Sequence, residues 1–472
     1  MTEGCIELMS EHMDDATIAY DRLLIPDISG FTFGRSPMPV ECGFGLNVGG
    51  GKVYPELNFT LPPMSITEDS WEAVMTEYRD IAEMIRRAAA RLRLPGLMVE
   101  FELLPPMTER PAWGGEIVAL LHESLRRAHD DSGLPCALRV TPTDIRDMVR
   151  PPLLRKGPAW EALEASIAAC ARAGADVLSI ESVGGKEVHD QALLYGDIHG
   201  VMFALGVLAP RDMDFLWRVI VRICREHGVV PGADSACGFA NTAMQLASQG
   251  MLPEVLAAVI RAASAVRSLV AFSRGAVGPS KDCAYEGPVI KAITGAPISM
   301  EGKSASCAHF SPVGNIAGAL CDLWSNESVQ NVRLLSGSAP EAFLESLAYD
   351  CRVMNEALRS GQERMYRDML VESDVHLSPQ ALVLSPQSTL RIAGAIIREK
   401  TPYRRTCAAA REAVDLIRDA VREDRLALPK RESEWLKKIQ SALESLPDAE
   451  EELMAPMIDS YGSLFSPASY GL

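Results

Sequence analysis

The sequence predicts an α/β fold, a TIM (β/α)8 barrel with an additional C-terminal helical segment. Over the first 340 residues, short apolar runs rich in β-branched residues alternate with longer stretches of helical periodicity. This alternation is typical of βαβ units and of a parallel sheet. After about residue 340 only amphipathic helical patterns remain. The 472 residues are enough for a barrel of about 250 residues and an appended helical region.

Eight of the apolar runs are predicted to be strands, because they are short and turn-forming residues bound them. In chain order these runs are Glu56–Leu61, Leu97–Leu103, Ala137–Val140, Val177–Ile180, Val229–Gly232, Ser268–Phe272, Pro297–Met300 and Val332–Leu335. Eight strand–helix units fit a closed barrel. A doubly wound open sheet is the alternative that the same alternation allows.

The helices between the strands are predicted from stretches in which apolar residues recur with helical spacing. The clearest are Trp71–Leu92, Gly115–His129, Trp160–Ala173, Asp212–His227 and Leu252–Ala265, and those of the C-terminal region are Glu341–Met365, Gln387–Arg398, Arg404–Arg422 and Glu432–Leu446. We therefore expect residues 1–340 to form the barrel, with an N-terminal extension and the active site. Residues 341–472 are expected to form a helical appendage.

The composition excludes several classes of protein. The chain has 46 Lys and Arg against 63 Asp and Glu, a net charge of -17, which argues against nonspecific nucleic-acid binding. The N-terminal sequence is acidic and lacks a long apolar run, so it does not predict a signal peptide. The 11 cysteines are scattered along a long chain and form no dense disulfide framework. These features predict a cytoplasmic protein with reduced thiols and no membrane span.

Three consecutive predicted strands run into residues that can bind a metal ion. Glu181 follows the fourth strand in VLSIESVGG, Cys237 follows the fifth, and Cys283 follows the sixth in the loop GPSKDCAYEGP. The carboxyl ends of barrel strands form the active site, and neighbouring strands are about 5 Å apart. Two thiolates and a carboxylate suit zinc and leave a fourth position open, as in catalytic sites.

Each cysteine taken alone is more typical of a small core residue than of a metal ligand. Their position in loops rich in glycine and proline, rather than in apolar strands, favours the ligand hypothesis. Three more residues at strand ends are candidates for catalysis: Asp234 as a proton donor, and Asn58 and Glu102 as residues facing the site. A structural role at the strand end is the alternative for each of these three.

Five long segments resemble the zinc-containing, methanol-activating subunit of methanol:corrinoid methyltransferases of methylotrophic archaea and acetogenic bacteria. They are CGFGLNVGGGKVYPELNFTLPP, VLSIESVGGKE, DSACGFANTAMQLA, GPSKDCAYEGPVIKAITG and KSASCAHFSPVGNIAGALCDLWSNESVQNV, and the resemblance covers nearly the whole chain. It implies a TIM barrel with added helices, whose zinc ligands correspond to Glu181, Cys237 and Cys283. It also implies a homodimer of this subunit associated with a corrinoid protein subunit.

The implied reaction transfers the methyl group of methanol to the Co(I) corrinoid of the partner protein, with zinc polarising the C–O bond. The chain itself is not expected to carry the corrinoid. Its segment from Asp197 to His199 is similar to the start of the corrinoid-carrier signature Asp-x-His-x-x-Gly, but Met202 replaces the final glycine.

Three alternatives remain open from the sequence. Two thiolates and a carboxylate outweigh the charge of zinc, so the site makes a restrained Lewis acid and is also typical of enzymes that methylate a thiol. The methyl donor could instead be another alcohol or a methoxy compound. A scaffold with a vestigial metal site is the non-enzymatic alternative, although all three ligands are intact.

Overall fold

The computed structural model describes residues 17–61, 64–281, 283–329, 333–334 and 337–472. An N-terminal hairpin is formed by β1 Arg35–Cys42 and β2 Leu46–Gly50. The strands that follow are β3 Tyr54–Thr60, β4 Leu97–Leu103, β5 Cys136–Pro142, β6 Val177–Ile180, β7 Val230–Asp234, β8 Ser299–Glu301 and β9 Leu323–Val329. These seven strands form one curled parallel sheet, in the order β7-β6-β5-β4-β3-β9-β8.

A short irregular segment closes the sheet into a barrel by bridging its two edge strands, β7 and β8. The backbone N–H of Val277 donates to the carbonyl of Pro231 in β7, over 3.0 Å. On the other side, Ser280 donates to the carbonyl of Pro297 and accepts from the N–H of Ser299 in β8, both over 3.1 Å. Residues 277–281 therefore occupy the eighth position, as a (β/α)8 barrel requires.

Two of the eight predicted strands are not strands of the barrel. Ser268–Phe272 lies in the helix Glu254–Ser273, which is buried on nearly all sides, so its apolar run shows no helical alternation. The last barrel strand is β9 rather than Val332–Leu335. Of that predicted run, Arg333–Leu334 form a short strand that pairs antiparallel with Gly337–Ser338 outside the seven-stranded sheet, and Val332 and Leu335 lie outside the described residues. The sequence of β9, LWSNESV, is polar because Ser325 and Glu327 share one face of the strand, and this polarity conceals it.

The barrel strands are connected by helices on the outside, and further helices follow the last strand. Those before residue 339 are Trp71–Leu92, Pro105–Glu109, Pro111–Ser132, Pro158–Ala173, Lys186–Tyr195, Ile198–Phe203, Ala209–His227, Thr242–Ser248, Glu254–Ser273, Gly287–Thr294 and Ser306–Phe310. The C-terminal helices are Ala339–Ser360, Glu363–Asp374, Pro379–Leu384, Pro386–Arg398, Pro402–Arg422, Lys430–Glu444 and Glu450–Tyr461. The single helix predicted over Glu341–Met365 is broken at Gly361, which has a φ of +70° and ends the first of two helices.

The amino-terminal end of the barrel is closed by apolar side chains. Leu46 and Val48 of the N-terminal hairpin pack against residues near the starts of the strands, among them Tyr54, Met98 and Leu323. The carboxyl ends of the strands, at the opposite end, carry polar residues instead. The hairpin therefore covers only the amino-terminal end of the barrel. The carboxyl-terminal end, here called the mouth, can form a site.

The C-terminal helices pack on the barrel, and residues of both regions belong to one continuous hydrophobic core. Pro402–Arg422 packs against Glu254–Ser273. Among the described residues, Glu254–Ser273 is the one helix long and apolar enough to cross a membrane, and 94% of its most apolar stretch is buried inside the protein. The division of the chain at residue 340 stays a prediction.

Candidate metal centre at the mouth of the barrel

The three predicted ligands lie together at the mouth. One ligand atom from each of Glu181, Cys237 and Cys283 can be chosen so that all three are within 4.8 Å of one another. The Sγ atom of Cys283 is 3.5 Å from Oε1 of Glu181. Glu181 directly follows β6, Cys237 begins a π-helical turn after β7, and Cys283 follows the segment that closes the barrel. Closure of the barrel therefore brings these three distant residues together.

Hydrogen bonds hold the two thiol-bearing loops in place. The side-chain amide of Asn241 donates to Sγ of Cys237 over 3.2 Å. The backbone N–H of Ala236 donates to Oε1 of Glu286 over 2.6 Å, and the same oxygen accepts from the Ser268 hydroxyl over 2.9 Å. These hydrogen bonds fix Cys237 and its neighbour Ala236. Residues that hydrogen-bond to metal ligands orient those ligands in the same way.

Without a metal ion, both thiols are held protonated. The hydrogen bond with Cys283 lowers the pKa of Cys237, but burial and the Glu181 carboxylate raise it, and the result is about 11. For Cys283, the hydrogen bond to Cys237 and burial both raise the pKa. Burial also raises the pKa of Glu181, which Lys281 lowers in part. Two sulfur atoms and one carboxylate oxygen form a donor set that a borderline-soft divalent ion can bind once the thiols lose their protons.

Lys281 lies at the centre of the mouth and connects the candidate ligands to the other strand ends. Its side chain is 3% exposed. Its Nζ atom is 2.9 Å from Oε1 of Glu181, 2.6 Å from Oε1 of Glu102 and 3.3 Å from Oε1 of Glu100. One buried ammonium group therefore contacts three carboxylates, one of which belongs to the candidate metal centre.

Asn58 and Glu102, the two catalytic candidates on β3 and β4, lie in this network. The Asn58 side chain hydrogen-bonds to Glu102, which also accepts from Lys281. Burial raises the pKa of Glu102, but the charge and hydrogen bond of Lys281 and the hydrogen bond of Asn58 outweigh it, so the pKa is lowered. Glu102 is therefore a carboxylate at neutral pH, and its side chain is 30% exposed at the mouth.

Asp234, the third catalytic candidate, is held in a separate, fully buried ion pair. Its Oδ1 atom is 2.8 Å from NH2 of Arg267, and its Oδ2 atom accepts from the indole N–H of Trp217 over 3.4 Å. The pairing of β7 with β6 skips one residue, so that Asp234 pairs with Ile180. Without this bulge Asp234 would pair with Glu181 and share its face, because a shift of one residue exchanges the two faces of a strand.

The barrel interior below the mouth also contains a buried ion pair. Nε of Arg139 is 2.8 Å from Oε1 of Glu56, and both side chains are at most 1% exposed. NH1 of Arg139 donates to the carbonyl of Pro279 over 2.9 Å and to the hydroxyl of Ser179 over 3.0 Å. Arg139 thus fixes the closing segment immediately before Lys281.

A model of the family described as methanol-cobalamin methyltransferase B subunit matches residues 18–471, nearly the whole chain. The chain belongs to this family. It is similar to the methanol--corrinoid protein co-methyltransferase of Methanosarcina barkeri (strain Fusaro / DSM 804), with 36% identity over 459 residues that cover 96% of this chain and 99% of that protein. The resemblance predicted from the five segments is therefore confirmed.

A solved structure supports the same family and the predicted fold class. The chain is similar to a chain in the crystal structure of the methanol:cobalamin methyltransferase complex from Methanosarcina barkeri, with a TM-score of 0.92 and 36% identity. The match covers 96% of this chain and 99% of the other. The α/β barrel with additional helices is thus confirmed for this member of the B subunit family.

Two features of the mouth were not predicted from the sequence of this family member. Lys281 is one, although it stands in the same segment, GPSKDC, as Cys283. The other is a group formed by Glu301, Cys307 and Glu327, whose ligand-capable atoms also lie within 4.8 Å of one another. Glu301 ends β8 and Glu327 lies on β9, the strand that the sequence concealed. The side chains of Glu301 and Cys307 are in hydrogen-bond contact.

Proposed function

We propose that this chain is a zinc-dependent methyltransferase that activates methanol and transfers its methyl group to the Co(I) corrinoid of a separate corrinoid protein. The observation that carries the proposal is the convergence of Glu181, Cys237 and Cys283 at the carboxyl ends of the barrel strands. The relatives described above are named for methanol and for a corrinoid or cobalamin. The donor set fits zinc, because two thiolates and one carboxylate leave a coordination position for a substrate.

The ligand residues and their neighbours would each have a distinct task. Glu181, Cys237 and Cys283 would hold the ion, and bound zinc supplies the Lewis acid that polarises an alcohol C–O bond. The methyl group would pass to the Co(I) of the partner protein, while the oxygen would take up a proton and leave as water. The partner's corrinoid would approach the mouth from the side opposite the hairpin.

Glu102 and Asn58 are proposed to bind the hydroxyl group of methanol and the departing water. Both lie in the hydrogen-bonded network at the mouth, and Glu102 is an acceptor with part of its side chain exposed. Asp234, which we predicted as a proton donor, is proposed instead to position the loop after β7, because Arg267 and Trp217 occupy its carboxylate. The proton that the departing oxygen requires would then come from bulk solvent, relayed by a water molecule bound at Glu102.

A thiol as the methylated substrate is the second candidate, favoured by the two sulfur ligands. The ammonium group of Lys281 beside Glu181 weighs against it, because it offsets the negative charge that suits thiol activation.

We further propose a cytoplasmic homodimer that binds the corrinoid protein within a hetero-oligomer, with residues 341–472 as an appendage to the barrel.

The test is methylation of the reduced corrinoid partner, which is measured by the absorbance change as Co(I) becomes methyl-Co(III). Methanol should support the reaction, whereas ethanol, a methoxyarene or a thiol methyl ether should not. An alkyl-cobalt product from one of these donors, methyl-cobalt from the methoxyarene or the thiol methyl ether or ethyl-cobalt from ethanol, and none from methanol would refute methanol as the substrate.

A further inference from the structure

We propose that Lys281 is a positioning residue of the candidate metal centre, whose ammonium group offsets the negative charge of the ligand set through its contact with the Glu181 carboxylate. This inference rests on the proposed function, because it concerns the ion that Glu181, Cys237 and Cys283 would hold. It explains how a site with two thiolates and a carboxylate can still polarise an alcohol.

The contact is made on the carboxylate oxygen that lies beside the Cys283 thiol. Nζ of Lys281 lies 2.9 Å from Oε1 of Glu181, and the same oxygen lies 3.5 Å from Sγ of Cys283. The ammonium group therefore acts directly on a candidate ligand atom. A positive charge at this distance withdraws electron density from the carboxylate and lowers the negative potential at the site.

The position of the ammonium group is fixed from several directions. The backbone N–H and C=O of Ser280 both hydrogen-bond to the backbone of the segment from Pro297 to Ser299. The Arg139 side chain donates a hydrogen bond to the carbonyl of Pro279. Glu102 and Glu100 contact Nζ from β4, at 2.6 Å and 3.3 Å. Because the same loop carries Cys283, the cation and one of the ligands are placed by a single short segment.

The charges at the mouth show why such a cation is needed. Two thiolates and one carboxylate exceed the charge of a divalent ion by one, and an ion that is over-compensated by its ligands is a weak Lewis acid. Glu100 and Glu102 add further negative charge within 3.3 Å of Nζ. Lys281 is the positive group that contacts both these carboxylates and the ligand Glu181 among the described residues.

Loss of the Lys281 charge is expected to affect zinc affinity and methanol turnover in different ways. A lysine that only stabilised the structure would, when removed, lower metal affinity and activity together by about 10- to 100-fold. Removal of an offsetting charge should instead leave zinc affinity unchanged or raised, while methanol turnover falls about 100-fold. The two effects separate because a more negative site attracts the ion but polarises the alcohol less.

The experiment compares the wild type with Lys281→Met, Lys281→Arg and the control Lys303→Met, in the complete chain with its corrinoid partner. Lys303 forms an ion pair with Asp350 on the exposed surface. Zinc affinity is measured by competition with a chelator, and the ligand field by the absorption spectrum of the Co(II)-substituted protein. Lys281→Met should retain zinc, show a shifted Co(II) spectrum and lose about 100-fold in turnover. Lys281→Arg should stay within about tenfold of the wild type, since it keeps the charge.

A parallel loss of zinc affinity and turnover in Lys281→Met, or unchanged turnover, would overturn the inference. If Lys281→Met does not fold, the double variant Lys281→Met/Glu100→Gln removes a buried pair together and is compared with Glu100→Gln alone, with the same expected shift. A wild type that binds no zinc would refute the proposed function instead, so the two failures can be distinguished.

Discussion

The Sγ atom of Cys283 lies 3.5 Å from Oε1 of Glu181, although 102 positions separate the two residues in the chain. Glu181 directly follows a regular strand, whereas Cys283 follows an irregular segment that replaces a strand. The contact therefore depends on the bonds that attach residues 277–281 to β7 and β8. Changes that weaken this closure of the barrel should therefore also weaken the candidate metal centre.

The variant Arg139→Met should weaken both the barrel and the metal centre. It leaves the Glu56 carboxylate buried without its partner and frees the carbonyl of Pro279. We expect a loss of about 3 to 5 kcal/mol in the free energy of unfolding, measured by denaturant titration. The double variant Arg139→Met/Glu56→Gln should recover part of that loss while zinc affinity stays reduced. Wild-type stability in Arg139→Met would show that the pair does not support closure.

The variant Asp234→Asn separates the two roles considered for this residue. Loss of the charge leaves Arg267 buried beside a neutral amide, so the free energy of unfolding should fall by about 3 kcal/mol. Zinc content should be retained, and the turnover per folded molecule should fall by less than about tenfold. Loss of turnover by a much larger factor with unchanged stability would instead support Asp234 as the proton donor predicted from the sequence.

Zinc affinity should rise with pH across the neutral range. Because the pKa of Cys237 is raised to about 11 and that of Cys283 is also raised, both thiols are protonated before the ion binds. Binding must release these protons, so the apparent affinity should increase by up to about 100-fold per pH unit below the thiol pKa values. Chelator competition from pH 6.5 to 8.5 measures this slope. An affinity independent of pH would mean that the thiols are not ligands.

The helices and most of the strands could be predicted from the sequence, because their apolar residues recur with regular spacing. β4 and β6 have the predicted bounds, as does the helix Trp71–Leu92. The closing segment could not be predicted, because it has no strand pattern and is held by bonds to both neighbours. β9 was not predicted from the sequence, because the barrel interior is polar at its mouth. An inward-facing polar residue such as Glu327 is more typical of a loop than of a strand.

The candidate site was predictable to the extent that it depends on strand ends. Glu181, Cys237 and Cys283 each follow a barrel position, and their side chains converge as expected from the fold. The bulge opposite Leu178 and Ser179 is a local feature without a clear sequence signal, and it turns Asp234 away from Glu181. Lys281 could not be assigned, because a lysine in a loop is usually solvated and only the assembled mouth surrounds it with carboxylates.

The most direct test of the central claim is the zinc content of the purified chain, measured together with methanol-dependent methylation of its corrinoid partner. The wild type should contain about one zinc per chain and methylate the corrinoid, whereas Cys283→Ala should lose both. The matched control is Cys224→Ala, which changes a buried cysteine in the helix Ala209–His227 and should keep both. Full methylation by a wild type that contains no zinc, or by Cys283→Ala, would contradict the account.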